Sequence, residues 1–68
     1  MAYTVHVEPG KRAGVWVLQC LEVPGALSET TDLREAPALM REAIAFVAQV
    51  PSEGIDVVIK PPEHALPE

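Results

Sequence analysis

The chain has few of the residues on which catalytic, metal-binding and nucleic-acid-binding sites depend. Its 68 residues include two histidines, one cysteine and five basic residues against ten acidic ones, which gives a net charge of −5. Because the chain has one thiol, it cannot form an intrachain disulfide. A zinc site needs three or four clustered ligands, whereas the two histidines and the cysteine are scattered along the sequence. Direct nucleic-acid binding requires a basic surface. We therefore expect no metal, no cofactor and no nucleic-acid partner.

The sequence also lacks long hydrophobic runs and targeting signals. Its longest strictly apolar run covers residues 43–48, which is too short to cross a bilayer. Residues 1–9 have neither the basic cluster nor the apolar stretch of a signal peptide. A single unpaired thiol fits a reducing compartment. These features predict a cytoplasmic protein without membrane contact.

What is present is the composition of one small globular domain. Hydrophobic residues make up 49% of the chain and charged residues 22%. A domain of this length without disulfides or metals is marginally stable alone, so we expect a homo-oligomer, with a dimer as the first expectation. The domain is predicted to cover residues 1–60. Residues 61–68 contain three prolines and predict an extended or disordered tail, with no DNA-binding domain.

Hydrophobic alternation and turn residues predict four strands, at residues 3–8, 15–21, 26–30 and 55–60. In the first, Tyr3, Val5 and Val7 share one face, which is typical of a half-buried strand. The third is short and is expected at a sheet edge.

One helix is predicted between the third and fourth strands. Asp32 is placed to cap it, and Glu35, three residues later, to complete a capping box. The helix should run to about Gln49. Pro37 predicts either a kink or a helix that becomes regular only after it. Apolar residues at helical spacing form one stripe: Leu33, Ala36, Met40, Ala43, Ile44, Val47 and Val50.

Apolar residues beside the stripe predict contact with a second chain. Leu39 and Phe46 widen the stripe sideways, so one flank of the helix is expected to bury against a partner. We assign self-association to Leu39, Phe46 and Val50.

The order of elements predicts an α+β fold, βββαβ. A right-handed crossover through the helix places the fourth strand parallel to the first. The result is a four-stranded mixed sheet with one helix packed on one face. The other face, with His6, Lys60 and either Trp16 or its neighbours, is left uncovered and predicts a contact surface. Trp16 is therefore either a core residue or an interface residue.

The residues capable of nucleophilic chemistry are few. A Cys–His pair would require Cys20 beside His6 or His64. Cys20 lies in an apolar strand, where a packed small hydrophobe is the expected role. No catalytic residue is assigned, and the chain is not expected to be an enzyme.

Two short motifs are the most specific part of a wider pattern over residues 3–50: Val23-Pro24-Gly25 and Leu33-Arg34-Glu35-Ala36. With the residues around them, these motifs resemble the HicB family of bacterial antitoxins. The chain departs from the family pattern at four positions, Cys20, Ala26, Thr30 and Pro37.

The resemblance implies a partial ribonuclease H-like fold without that enzyme's active site. It also implies binding and occlusion of a small basic HicA-like ribonuclease toxin, which suits the acidic charge of this chain. Under this reading we expect partner contacts at Trp16, Glu22, Pro24, Gly25 and Glu29. The alternative is an orphan self-associating interaction or ligand-binding module without a toxin partner.

Overall fold

A mixed four-stranded sheet with one α-helix across one side makes up residues 2–60, the part of the chain that this computed structural model describes. The strands are Ala2–Pro9 (β1), Trp16–Cys20 (β2), Leu27–Thr30 (β3) and Asp56–Lys60 (β4), and the helix is Ala36–Ala48 (α1). The strand order is β3-β2-β1-β4, with β4 parallel to β1 and the other pairs antiparallel. The predicted α+β architecture and the edge position of the third strand are confirmed. The predicted tail and His64 lie outside the described residues.

The β1–β2 hairpin follows from the alternation in the first strand. Its inward side chains are almost completely buried in register with those of β2: Val5, Val7, Leu18 and Cys20. The connecting loop closes through the Gly10 amide, which donates to the Val15 carbonyl at 2.7 Å. A Cβ on Gly10 would lie 3.0 Å from that carbonyl oxygen, so the close approach favours glycine.

The segment before α1 is capped differently from the prediction. The Asp32 carboxylate accepts from the Arg34 amide at 3.0 Å, as a capping residue should. The Asp32 amide, however, donates to the Thr30 hydroxyl at 3.0 Å. The predicted capping box with Glu35 is therefore wrong, because the buried Thr30 side chain already accepts the hydrogen bond that the Glu35 carboxylate was expected to accept.

Pro37 lies in the first turn of α1 and does not kink it. Residues 33–35 form a 3-10 turn, and the α-helix begins only at residue 36. A proline in the first turn loses no helical hydrogen bond. The predicted kink is thus wrong. The alternative prediction, a helix that becomes regular late, describes the structure.

The helix ends in a left-handed residue. Gln49 has φ 61° and ψ 47°, and the Val50 amide donates back to the Ala45 carbonyl at 3.2 Å. This turn directs the chain away from the helix axis. The predicted apolar stripe also fails at its end, because Val47, still within α1, and Val50, beyond it, are 41% and 40% exposed.

The core lies between the sheet and the middle of α1. Ala36, Met40 and Ile44 are fully buried at helical spacing, above the inward residues of β1 and β2. Ile55 closes one end of this core, and Val57 and Ile59 are partly buried against it, as predicted for the fourth strand.

Trp16 lies on the side of the sheet that the helix covers. It alternates with the buried Leu18 and Cys20 and is partly buried against the core. Its neighbours Val15 and Val17 are half-buried, and Val17 lies on the other side of β2. Of the two positions left open by the sequence, the uncovered face therefore carries Val17 and not Trp16.

None of the helices within residues 2–60 combines the length and the hydrophobicity needed to cross a membrane.

Candidate protein-binding surfaces

Two surfaces of the domain expose apolar side chains that no other part of residues 2–60 covers. The first is the sheet side opposite the helix, which we call the open face. The second runs along one side of α1, which we call the acidic flank. They differ in charge, which decides what each can bind.

The open face is formed by outward-pointing residues of all four strands. Leu21, Leu27 and Val58 are 56%, 55% and 47% exposed there. Polar and charged residues lie between and beside them. The open face thus comprises Leu21, Leu27, Val58, His6, Glu8, Glu29, Asp56 and Lys60.

The charges of the open face are separated along the strands. Glu8 faces Val17, which also faces Glu29, so two carboxylates lie at one end. His6 and Lys60 are neighbours on adjacent strands in the next row. The open face therefore carries both signs of charge in distinct positions.

The acidic flank comprises Glu35, Leu39, Glu42 and Phe46, together with Glu29 at the sheet edge that the flank shares with the open face. Phe46 is 85% exposed, the highest value among the large apolar side chains of the described residues. It follows the buried Ile44 by two positions, which turns its ring away from the sheet. Leu39 lies two turns earlier on the same side and is partly buried against the core. The flank thus begins on the core and ends at a solvent-exposed ring.

A cleft at the beginning of the acidic flank lies between the sheet edge and the start of the helix. It has a volume of about 350 Å³ and is lined by Val15, Glu29, Thr30, Thr31, Glu35 and Leu39. A second cleft of about 330 Å³ shares Val15 and Glu29 with it and adds Lys11 and Arg12 on the far side. Glu29 therefore lies at the edge where the flank meets the hairpin loop.

The carboxylates of the acidic flank are not neutralised within the described chain. The one ion pair among residues 2–60 joins Arg34 to Asp32 at 3.0 Å. This pair, with the Arg34 amide, holds the pKa of the Asp32 carboxyl below its ordinary value. Glu42 lies one helical turn before Phe46, so a carboxylate borders the exposed ring. The flank is an apolar strip with negative charge along its edge.

Glu22, predicted as a partner contact, makes a hydrogen bond that holds the sheet together. Its Oε1 accepts from the Thr4 amide at 2.7 Å and from the Cys20 thiol at 3.6 Å. The Leu21 amide donates to the Thr4 carbonyl at 2.9 Å. Glu22 thus extends the β1–β2 pairing beyond the last residue of β2. The hydrogen bond from the Thr4 amide, above all, holds the pKa of the Glu22 carboxyl below its ordinary value.

The predicted partner residues do not form one surface. Pro24 and Gly25 are exposed in the β2–β3 turn, where Gly25 has φ 96° and lies beside Val47. Trp16 and Glu29 lie at the opposite end of the β2–β3 pair, about 15 Å away along the strands. Trp16 is on the helix side there, whereas Glu29 is on the open-face side and reaches the acidic flank only at the edge cleft.

The sequence analysis did not assign Glu35 and Glu42 to a partner surface beside Leu39 and Phe46. The spacing in the sequence indicates this. Glu35 and Glu42 are seven positions apart, as are Leu39 and Phe46, and each glutamate precedes one of these apolar residues by four positions, so all four fall on the same side of a helix. Glu35 was instead assigned to a capping box, and Leu39 and Phe46 were considered without the acids beside them.

The candidate nucleophile and base lie on opposite sides of the sheet. Cys20 is 1% exposed among core residues, whereas His6 is exposed on the open face. Within residues 2–60, no group of three or more His, Cys, Asp or Glu side chains is placed to hold a metal ion.

Comparisons with protein families, with curated proteins and with solved structures find no match to this chain.

Proposed function

We propose that this chain is a HicB-like antitoxin-type protein that binds and occludes a small basic HicA-like ribonuclease toxin. In this proposal it is a cytoplasmic binding protein rather than an enzyme, and its sheet and helix correspond to a partial ribonuclease H-like fold. The sequence resemblance described above and the strand order of the sheet support this assignment.

The observation that carries the proposal is Phe46 on the acidic flank. An aromatic ring exposed by 85% beside carboxylates offers both apolar area and negative charge to an incoming surface. Lysine and arginine side chains match it, because their alkyl stems pack on apolar groups while their charged ends pair with carboxylates or with the ring face. A basic protein is therefore the partner whose chemistry fits the flank.

The structure changes which residues we assign to this contact. Glu29 stays in the predicted partner surface, and Glu35, Leu39, Glu42 and Phe46 join it. Glu22 is removed from it, because its carboxylate is engaged by the Thr4 amide. Leu39 and Phe46, first assigned to self-association, are reassigned to the partner surface in this proposal.

The first test is co-purification of the tagged chain with the products of the flanking reading frames, followed by intact mass measurement. The expected result is retention of a small basic protein whose ribonuclease activity falls when this chain is added. Recovery of this chain only with itself would contradict the antitoxin proposal and favour the orphan interaction module.

The second test locates the contact on the retained protein. Exposed aromatic residues at interfaces are frequent hot spots, so Phe46→Ser should weaken binding at least about tenfold. Glu42→Lys should slow association, most clearly at low salt. Glu53→Lys is the matched control, because it reverses the same charge at an exposed position outside the flank. Equal effects of Glu42→Lys and Glu53→Lys would show that only net charge matters.

A further inference from the structure

We propose that the free edge of β4 pairs with the same edge of a second copy of this chain, so that two sheets join into one continuous sheet of eight strands. This inference does not rest on the antitoxin proposal, because it concerns the sheet edge opposite Glu29 and is tested on the chain alone.

The backbone of β4 is paired on one side only. Its five residues lie parallel to β1, and no other strand of residues 2–60 lies beyond them. Alternate residues of an edge strand point their amide and carbonyl groups away from the sheet, which makes the edge a template for another strand. Residues 56–60 contain neither proline nor glycine, so every position can take part in this pairing.

The side chains of β4 are also incompletely covered. Val57 and Ile59 lie on the helix side but are only partly buried, and Val58 on the other side is 47% exposed. A strand added at this edge would bring its side chains to about 4.5–5.5 Å from those of β4. Apolar side chains on both sides of the sheet would then gain a neighbour.

The order of charges along β4 selects a second copy as the added strand. The strand begins with Asp56, ends with Lys60 and has three apolar residues between them. Antiparallel pairing about a two-fold axis at Val58 places Asp56 of each copy opposite Lys60 of the other. Val57 then lies opposite Ile59, and Val58 lies opposite itself. Directly opposed charges of opposite sign stabilise strand pairing.

Other pairings between two copies lose this complementarity. A shift of the register by one or two residues in either direction places Asp56 or Lys60 opposite an apolar residue of β4. At the other edge of the sheet, β3 contains the acidic Glu29 and no basic residue, so pairing two copies there forms no ion pair. The second copy therefore fits the β4 edge, in one register.

The length of β4 sets the strength of the contact. Five paired residues extend over about 16 Å and bury less than the roughly 1,200–2,000 Å² of stable interfaces. We therefore expect a weak and reversible dimer, with a dissociation constant between about 0.1 and 1 mM.

Disulfide formation at the two-fold axis tests the proposal. Val58→Cys places two thiols directly opposite each other, within reach of a disulfide, whereas Cys20 is 1% exposed and does not compete. Leu27→Cys is the matched control, because Leu27 is similarly exposed on the opposite edge strand. Under mild oxidation, Val58→Cys should form covalent dimers at least about tenfold faster than Leu27→Cys. Equal rates overturn the proposal.

A charge exchange in the Val58→Cys chain tests the register. Asp56→Lys should slow cross-linking at least about threefold, because lysines then oppose each other, and adding Lys60→Asp should restore the rate, because the charges only change places. Glu29→Lys is the matched control, since it makes the same charge reversal at the opposite edge and should leave the rate unchanged. A double exchange that restores nothing, or an equal loss with Glu29→Lys, overturns the proposal.

Sedimentation velocity of the unmodified chain needs no substitution. Between about 0.05 and 1 mM, dimer mass should appear toward the upper end of the range. Monomer mass at every concentration overturns the proposal. Thermal melts followed by circular dichroism establish that each variant in the cross-linking experiments folds.

Discussion

The left-handed residue at the end of α1 gives the sharpest test of the backbone. Gln49 has φ 61°, a conformation in which a Cβ lies too close to the following carbonyl oxygen. The strain is about 1–2 kcal/mol for a residue with a side chain, and glycine avoids it. Glycine also loses about 0.5–1 kcal/mol more conformational entropy on folding. We therefore expect Gln49→Gly to raise the free energy of unfolding by about 0.5–1 kcal/mol, since Gln49 is exposed and loses no buried contact.

Thermal unfolding measures this change directly. For a domain of this size, about 1 kcal/mol corresponds to roughly 4–8 °C in Tm, so Gln49→Gly should melt about 2–8 °C higher. Ala38→Gly is the control, because Ala38 is exposed in the same helix with ordinary helical geometry, and the variant should lose about 1 kcal/mol. Protein concentration is held constant, because self-association raises the apparent Tm. A Tm for Gln49→Gly at or below that of the parent chain would refute the assigned helix end.

Two further predictions concern the β1–β2 hairpin. Gly10→Ala should lower the free energy of unfolding by about 1–3 kcal/mol in urea denaturation, because its Cβ would meet the Val15 carbonyl oxygen at 3.0 Å; an unchanged midpoint would contradict the close approach. The Glu22 carboxyl has a lowered pKa in the folded chain, so its stabilising effect is complete above the ordinary carboxyl pKa and is lost as the pH falls through the lowered folded value. Urea denaturation from pH 7 to pH 3 should therefore show a smaller acid-induced loss of stability for Glu22→Gln than for the parent, and equal slopes would show that the Thr4 hydrogen bond does not hold in solution.

Periodicity predicted which residues share a face, and this is confirmed for the strands and for the middle of the helix, though not for Val47 and Val50 at its end. The alternation in β1 placed Val5 and Val7 in the core, and the helical spacing placed Met40 and Ile44 opposite them. These predictions succeed because hydrophobic burial is decided locally, by the repeat of each element.

Predictions that depended on neighbouring elements were less successful. Both sides of β2 carry apolar residues, so the pattern could not say whether Trp16 or Val17 faces the helix. The Asp32 amide donates to the Thr30 hydroxyl rather than to Glu35. Thr30 ends β3, and the sequence did not fix the position of that strand. The acidic flank likewise requires the sheet edge to meet the helix, which brings Glu29 beside Glu35 only after folding.

The parallel pairing of β1 with β4 also has a consequence for the order of folding. Ala2 pairs with Asp56 and His6 with Lys60, so the first strand of the chain has its second neighbour 54 positions later. During synthesis β1 can pair with β2 early, but its other edge stays unpaired until the last strand leaves the ribosome. Contacts of such long sequence separation slow folding and expose a strand edge in the meantime. A nascent chain stopped before residue 55 should therefore remain prone to aggregation, even though its hairpin and helix are already made.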